Sequence, residues 1–439
     1  MVIAGGGFGG FYAARALERL LPPQSAQVTL VNEANFMLYT PLLAGAAGAT
    51  LDPRHVVVSL RSELRRTELV IGQVSGADPA AATLGVQRVD GERLDLSYDQ
   101  LIVALGSVSR TDPIPGLAEH AIGLKSLADA TALRNQVLNC FDIAETVEDP
   151  AMRAQYLGFV FVGAGYAGVE GLADLQDFAA QAIELYPRCR AQGMRWVLAE
   201  ARERIMQEVP PSLSEFAERE LRGRGIEVRT DTTLLELSAG AAKLSGDETI
   251  MARTVVWTAG VKPSPVVAEL GLPLNGEGRV VVDRTMFVDP HTLAGAGSRP
   301  GSPAAPQVWA IGDCAAVPDP SRPGHSCPPT AQHAIRQGRL AARNVAAALG
   351  GSGASARPFR YRTKGVVAEL GRSQAVAITF GIRWRGLPAW LIARTYHLLL
   401  MPGVERKLRL LMDWNVALMF GRDTSSPGRL GSPTPLGRD

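Results

Sequence analysis

Cysteine is scarce in this 439-residue chain, and its four thiols stand apart: Cys140, Cys189, Cys314 and Cys327. No two have the spacing of a local redox disulfide or a zinc ribbon. Isolated thiols of this kind suit a reducing cytoplasm. Histidine is equally sparse. His55, His120, His291, His325, His333 and His397 are too scattered for a metal cluster, so no metal is expected. A net charge of +2 leaves no global footprint for nucleic acid. The strongly apolar stretch GLPAWLIARTYHLLLMPG (386–403) is broken by Arg394, His397 and Pro402–Gly403, which makes it too short and interrupted to span a bilayer. What remains is a globular composition, 46% hydrophobic, in a chain long enough for two or three domains.

Glycine is the abundant residue, and it is patterned. MVIAGGGFGG (1–10) and LGFVFVGAGYAGVE (157–170) each place an apolar β-type run before G-x-G-x-x-G and open a helix-like segment after it. In such a turn the first glycine (Gly5, Gly163) allows the sharp bend and the second (Gly7, Gly165) lets backbone approach a pyrophosphate. The third (Gly10, Gly168) lets helix and strand pack closely. The helix N-terminus beyond adds free N–H groups and the positive end of its dipole. One match alone is weak; two in one chain point to two bound dinucleotides. Met1 leaves only Val2–Ala4 before the first glycines, which reads as a strand shortened at its start.

After Gly10 an amphipathic run through Phe11, Ala14, Leu17, Leu20 and Leu21 reads as a helix ended by Pro22–Pro23. AQVTLVNE is a strand finishing at Glu33, where a carboxylate would accept a ribose 2′-hydroxyl and repel a 2′-phosphate. NFMLYTPLL (35–43) carries no cysteine pair, so no thiol relay is expected there. LVIGQV (69–74) and DQLIVALG (99–106) read as strands. Near 116–124 a polar helical stretch begins, the expected crossing into an inserted domain. In that domain MRWVLAE ends at Glu200, repeating the Glu33 arrangement and favouring NADH over NADPH, with Arg202 and Arg204 near enough to soften the preference. The interval from Gly168 to Glu200 exceeds the usual spacing, so an extra helix or loop is expected. TIMARTVVWTAGV (249–261) reads as a buried strand running into a glycine turn. QVWAIGDCAAV is a strand ending at Gly312–Asp313, followed by a helix within 328–349 and a flexible linker at 350–358.

The C-terminal region differs in kind. Arg383, Arg385, Arg394, Arg406, Lys407 and Arg409 face a single acid, Glu405, with Trp384, Trp390, Tyr396 and Trp414 interleaved. Helices over 386–403 and 404–420 read as lying on anionic lipid; a homodimer interface or ordinary core packing is the competing use of the same faces. The Gly/Pro/Ser/Arg-rich tail 422–439 reads as disordered.

With GGGFGG, FMLYTPLL, YDQLIVALGS, VGAGYAGVE, VVWTAGV, AIGDCA, PPTAQHAIRQG and the AW…YHLLL…W tail on the page, the chain resembles the type II NADH dehydrogenases from Gly5 to Phe420. These are single-subunit, FAD-containing NADH:quinone oxidoreductases of the pyridine nucleotide-disulfide oxidoreductase superfamily. The resemblance implies an α/β fold of two Rossmann-like dinucleotide-binding domains, one inserted in the other, plus a C-terminal amphipathic helical membrane-associating region. Expected bounds are 1–120 and 265–350 for the FAD domain, 121–264 for the NADH domain, 358–421 for the membrane region and 422–439 for the tail. FAD would use Gly5, Gly7, Gly10, Glu33, the Val74 backbone, Gly312, Asp313, Ala331 and Gln332. NADH would use Gly163, Gly165, Gly168, Glu200 and Gly260, with Glu170 as the catalytic carboxylate beside the nicotinamide.

AQHAIRQ (331–337) matches the family's AQ-x-A-x-Q pattern, with Arg336 in place of a glutamine. Arg336 and Gln337 are expected on the quinone side, Arg336 holding either a flavin oxygen or a quinone oxygen. Electrons would pass to a membrane quinone without proton pumping, on the cytoplasmic face of the cell membrane, with the protein held peripherally. A sulfide:quinone oxidoreductase, which would need cooperating cysteines, and a redox-sensing NADH/FAD-binding protein remain open alternatives.

Overall fold

The computed structural model describes residues 1–111, 114–292, 306–350, 355–361, 363 and 365–426. Residues 293–305, linker residues 351–354 and the tail from 427 onward lie outside the described residues. The chain divides into two interleaved units, 1–38 with 57–108 and 261–363, and 39–56 with 109–260 and 364–439.

The first unit is built on a seven-stranded sheet. Its spatial order is Gln307–Ala310, Gln100–Val103, Val2–Ala4, Thr29–Asn32, Glu68–Asp78, Thr83–Arg88 and Arg93–Ser97. The first five strands run parallel, and the last two return antiparallel as a meander. The central strand VIA and the strand QLIV are buried along their whole length, as expected of parallel strands covered on both faces. Helix Phe8–Leu20 leaves the first glycine turn and packs on helix Ala331–Leu349. Their crossing is close because a Cβ on Gly338 would stand 2.2 Å from the Gly9 carbonyl oxygen.

The second unit contains a five-stranded, wholly parallel sheet. Its order is Ala121–Gly123, Thr254–Trp257, Gly158–Val162, Arg195–Ala199 and Ile226–Arg229. Helix Tyr166–Ala182 leaves the second glycine turn; a short 3₁₀ turn and helix Pro187–Gln192 follow, which accounts for the long interval before Glu200. Helix Leu127–Thr146 starts at a capping box, with Ser126 and Asp129 each bonding the other's backbone N–H. The stretch 249–261 is not one strand: Thr249–Met251 closes a small antiparallel sheet, and only Thr254–Trp257 joins the parallel one.

The layout differs from the expected one in the unit bounds and in the C-terminal region. Residues 39–56 and 109–120 group with the second unit, and 261–264 with the first. The C-terminal region opens with a three-stranded antiparallel sheet, Gly365–Glu369, Ala375–Thr379 and Ile382–Arg385, before helices Leu387–Leu400 and Val404–Phe420. Helix Val404–Phe420 is fastened to the 52–55 turn: Asp413 accepts from the Asp52 N–H and lies 2.6 Å from His55 Nδ1. Its other face is bare, with Val404, Leu408, Leu411, Met412, Val416 and Met419 exposed at helical spacing. Among the described residues no helix is long and apolar enough to cross a membrane.

Candidate active site

The two glycine turns have one geometry. Gly5 has φ +102° and Gly163 φ +101°, values that L side chains rarely adopt. A Cβ on Gly10 would fall 1.8 Å from the Gly5 carbonyl oxygen, and on Gly168 1.9 Å from that of Gly163. By contrast, a Cβ on Gly7 or Gly165 would meet no protein atom within 4 Å. Each middle glycine therefore lines open space at a helix N-terminus, the place a pyrophosphate takes. The residues present fit one dinucleotide in each unit.

In the second unit the turn opens into a cleft of about 430 Å³ lined by Gly163, Gly165, Glu200, Trp257 and Gly260 among others. Glu200 directly follows its strand. Its carboxylate accepts the Ala164 N–H at 2.7 Å and the Arg202 N–H at 3.1 Å. Arg204 is spent on the carbonyls of Met206, Gln207 and Val209, and Arg202 reaches the Gln207 side chain at 3.0 Å. Both arginines line the cleft, with Arg204 bonded to loop carbonyls and Arg202 to the Gln207 side chain. Gly260 holds φ +83° where the chain leaves the buried strand. Thr258, which sequence reasoning missed, bonds the Val162 and Gly163 carbonyls and fixes the turn.

In the first unit Glu33 is exposed and one residue past the equivalent place. Gly5 N–H bonds Val31 as Gly163 N–H bonds Ala199, so the counterpart of Glu200 is Asn32. Asn32 Oδ1 accepts the Gly6 N–H at 2.8 Å, and its amide nitrogen donates to the Ala34 and Phe36 carbonyls. The Glu33 assignment is thus corrected to Asn32; counting from the glycine N–H, rather than from the last acid of the strand, would have found it. Val74 lies buried on strand Glu68–Asp78, next to the register break between Val74 and Gly76.

Gly312 takes φ +73° and Asp313 follows it, its carboxylate 2.6 Å from the Ser107 hydroxyl that donates to it. Ala331 and Gln332 begin the next helix, capped by Thr330. Gln332 Oε1 accepts from the Tyr361 hydroxyl at 2.6 Å. Arg336 lies with its guanidinium 4.0 Å from the Tyr361 ring centre and donates to the Gln332 carbonyl. Gln337, expected on the quinone side, is instead buried, and its amide oxygen accepts the Gly312 N–H at 2.7 Å. It holds the Gly-Asp turn rather than facing an acceptor.

Glu170 sits in the first turns of helix Tyr166–Ala182, where Oε1 accepts the Glu369 N–H at 3.0 Å. Crowding away from water, with Glu369 and Asp174 as like-charged neighbours, raises its carboxyl well above the ordinary range, although the Glu369 N–H favours the anion. The cysteines offer no competing chemistry. All four are free and buried, and burial pushes the Cys314 thiol up to about 11 and that of Cys327 to about 12. Among the described residues no group of His, Cys, Asp and Glu could hold a metal ion.

Residues 1–338 match the pyridine nucleotide-disulphide oxidoreductase family. The chain is 30% identical over 433 residues to the type II NADH:quinone oxidoreductase Ndh of Mycobacterium tuberculosis, covering 96% of this chain and 88% of that protein. It is 28% identical to the demethylphylloquinone reductase NdbB of Synechocystis, covering 94% of each. The solved structure of NDH2 from Plasmodium falciparum in complex with NADH shares the fold, with a TM-score of 0.85 at 17% identity over 97% of this chain and 99% of that one. The chain belongs to the pyridine nucleotide-disulphide oxidoreductase family and, within it, to the type II NADH:quinone oxidoreductases.

Proposed function

We propose that this chain is an FAD-dependent, non-proton-pumping NADH:quinone oxidoreductase. The observation that carries this reading is the pair of glycine turns with one geometry, one of them backed by the Glu200 carboxylate. Two dinucleotides in one chain without a reactive thiol pair suit direct transfer from NADH through a flavin to an acceptor. When bound, FAD supplies the two-electron chemistry between nicotinamide and quinone. The protein's part is alignment. Gly5, Gly7, Gly10 and Asn32 would seat the flavin's adenosine and pyrophosphate, with Ser107 presetting Asp313 for the ribityl chain. Gly163, Gly165, Gly168, Gly260 and Glu200 would seat NADH. Glu170 would orient the nicotinamide and keep a proton available beside it. Arg336, laid over Tyr361, would offer guanidinium N–H donors at the acceptor side, matching quinone carbonyl oxygens.

The bare apolar face of helix Val404–Phe420, with the basic residues around it, supports peripheral attachment to anionic lipid; the cytoplasmic face of the cell membrane is the side we assign to it. Steady-state NADH oxidation by the flavin-loaded protein tests the proposal. Turnover should depend on a short-chain quinone and be supported far better by NADH than by NADPH. Quinone-independent oxidation, or none, would overturn it.

A further inference from the structure

Helix Tyr166–Ala182 carries three acids along one side, Glu170, Asp174 and Asp177, and they are not held alike. Asp177 is firmly paired: Arg224 reaches it at 2.5 Å and the Arg372 N–H at 2.7 Å. Asp174 lies 3.6 Å from Arg422, whose guanidinium is also engaged by the Gly48 and Asp174 carbonyls. Glu369, which meets Glu170 through its backbone, has its carboxylate 3.8 Å from Arg394 Nε, outside hydrogen-bonding reach. Arg394 Nε is buried and has no hydrogen-bond partner. Its guanidinium lies between the Trp390 and Trp414 rings, 4.1 and 4.9 Å from their centres. Asp174, Glu369 and Arg394 all line a cavity of about 170 Å³, bounded further by Thr50, Ser373 and Leu418.

Loose ion pairs, an unsatisfied N–H and polar walls make this a place for water rather than for a packed side chain, and the volume admits several molecules. The charged groups that act on Glu369 are Asp174 from helix Tyr166–Ala182, Arg394 from helix Leu387–Leu400 and Arg422 beyond the last helix, while Glu170, a like-charged neighbour outside the cavity lining, meets it through the Glu369 N–H. Asp177 and Arg372 stand farther along the cavity wall. Burial, opposed by Arg394 and Arg422 and reinforced by Asp174, lifts Glu369 to about 7.

We propose that this cavity is a proton inlet, in which Glu369 reloads Glu170 with one solvent proton for each NADH oxidised. The inference rests on the quinone-reductase reading. That reaction, NADH + H⁺ + quinone → NAD⁺ + quinol, takes one proton beyond the hydride. The carboxyl proton that Glu170 releases ends in an O–H bond of the quinol. Glu369 restores it through water, and cavity water reprotonates Glu369. Electrons are carried by the hydride alone. Glu369 is a positioning residue that acts through Glu170.

The test compares flavin-loaded wild type with Glu369→Gln, Glu369→Asp and Leu418→Trp, the last adding bulk at the exposed rim of the cavity without changing a charge. Infrared spectra between about pH 6 and about pH 8 should show a protonated-carboxyl band that titrates, shifts in D₂O and vanishes in Glu369→Gln. Quinone turnover at about pH 8 should fall at least tenfold, ~10- to 100-fold, in Glu369→Gln and in Leu418→Trp, with flavin content and NADH affinity unchanged and Glu369→Asp restoring the wild-type pH profile. An active wild type whose carboxyl band and pH profile are the same in Glu369→Gln and Leu418→Trp overturns the inlet alone. A wild type that oxidises no NADH with quinone removes the reaction and the inlet together. Should Glu369→Gln fail to fold, Leu418→Trp decides by the same profile.

Discussion

Asn32 and Glu200 occupy the same place in two successive nucleotide turns. Asn32 accepts the Gly6 N–H at 2.8 Å, and Glu200 accepts the Ala164 N–H at 2.7 Å. On the proposed seating the neutral amide serves the flavin and the carboxylate NADH, so replacing each should affect a different cofactor. Asn32→Ala should lower the flavin retained on purification, by roughly the 1–3 kcal/mol of a lost buried hydrogen bond. Glu33→Ala should leave it unchanged. The ratio of flavin absorbance to protein checks both.

Glu200→Ala removes the carboxylate proposed to accept the ribose diol. The kcat/KM for NADH should fall ~10- to 100-fold, as expected for a hydrogen bond to a charged group, while flavin content stays at the wild-type level. The NADPH rate should change little, because Arg204 is held by three loop carbonyls. Initial rates with both nucleotides decide this.

The glycines of the second turn should separate folding from binding. Gly168→Ala would place a methyl 1.9 Å from the Gly163 carbonyl oxygen and 2.6 Å from Thr258 Oγ1, which the backbone must move to accommodate. It should lower stability by about 1–3 kcal/mol. Gly165→Ala meets no protein atom within 4 Å and should melt like wild type while weakening NADH binding. Thermal unfolding and NADH titration of the two variants check the distinction.

How much of this was legible beforehand depended on the range of the contact. The glycine turns and their strands were readable because the chemistry sits within ten residues of sequence. The first-unit counterpart of Glu200 was misplaced by one position because register is set by which carbonyl the turn N–H meets, and Glu33 lies one step too late. Gln337 pointed the wrong way because adjacent helix positions face different sides, and only the structure shows Gly312 against it. Glu369 was invisible, since its partner Glu170 lies 199 residues earlier. The strands GVVAE, AVAIT and IRWR were overlooked because they are short and the apolar helices after them dominate the pattern.

His397 should make the protein acid-labile. It is buried against Tyr39 and Tyr396, and burial holds its imidazole down to about 4. Between about pH 6.5 and about pH 4 the unfolded chain binds the proton and the folded one does not, so stability falls as pH drops through that window. The loss attributable to this group is up to about 3 kcal/mol. In His397→Phe, unfolding midpoints measured across that window should decline less steeply than in wild type.

The exposed stripe on helix Val404–Phe420 should carry membrane attachment. Leu408→Glu with Met412→Glu should abolish binding to vesicles containing anionic lipid without altering flavin content or reduction by NADH. Co-sedimentation with vesicles checks it. If the double variant binds as well as wild type, or if it converts a dimer to a monomer, the face serves another purpose.

The most direct test of the central claim is anaerobic stopped-flow absorbance of the flavin-loaded protein, mixed first with NADH and then with a short-chain quinone. The flavin band should bleach with stoichiometric NADH, bleach much more slowly with NADPH, and return in full when quinone is added. A band that NADH does not bleach, or that quinone does not restore, would contradict the account.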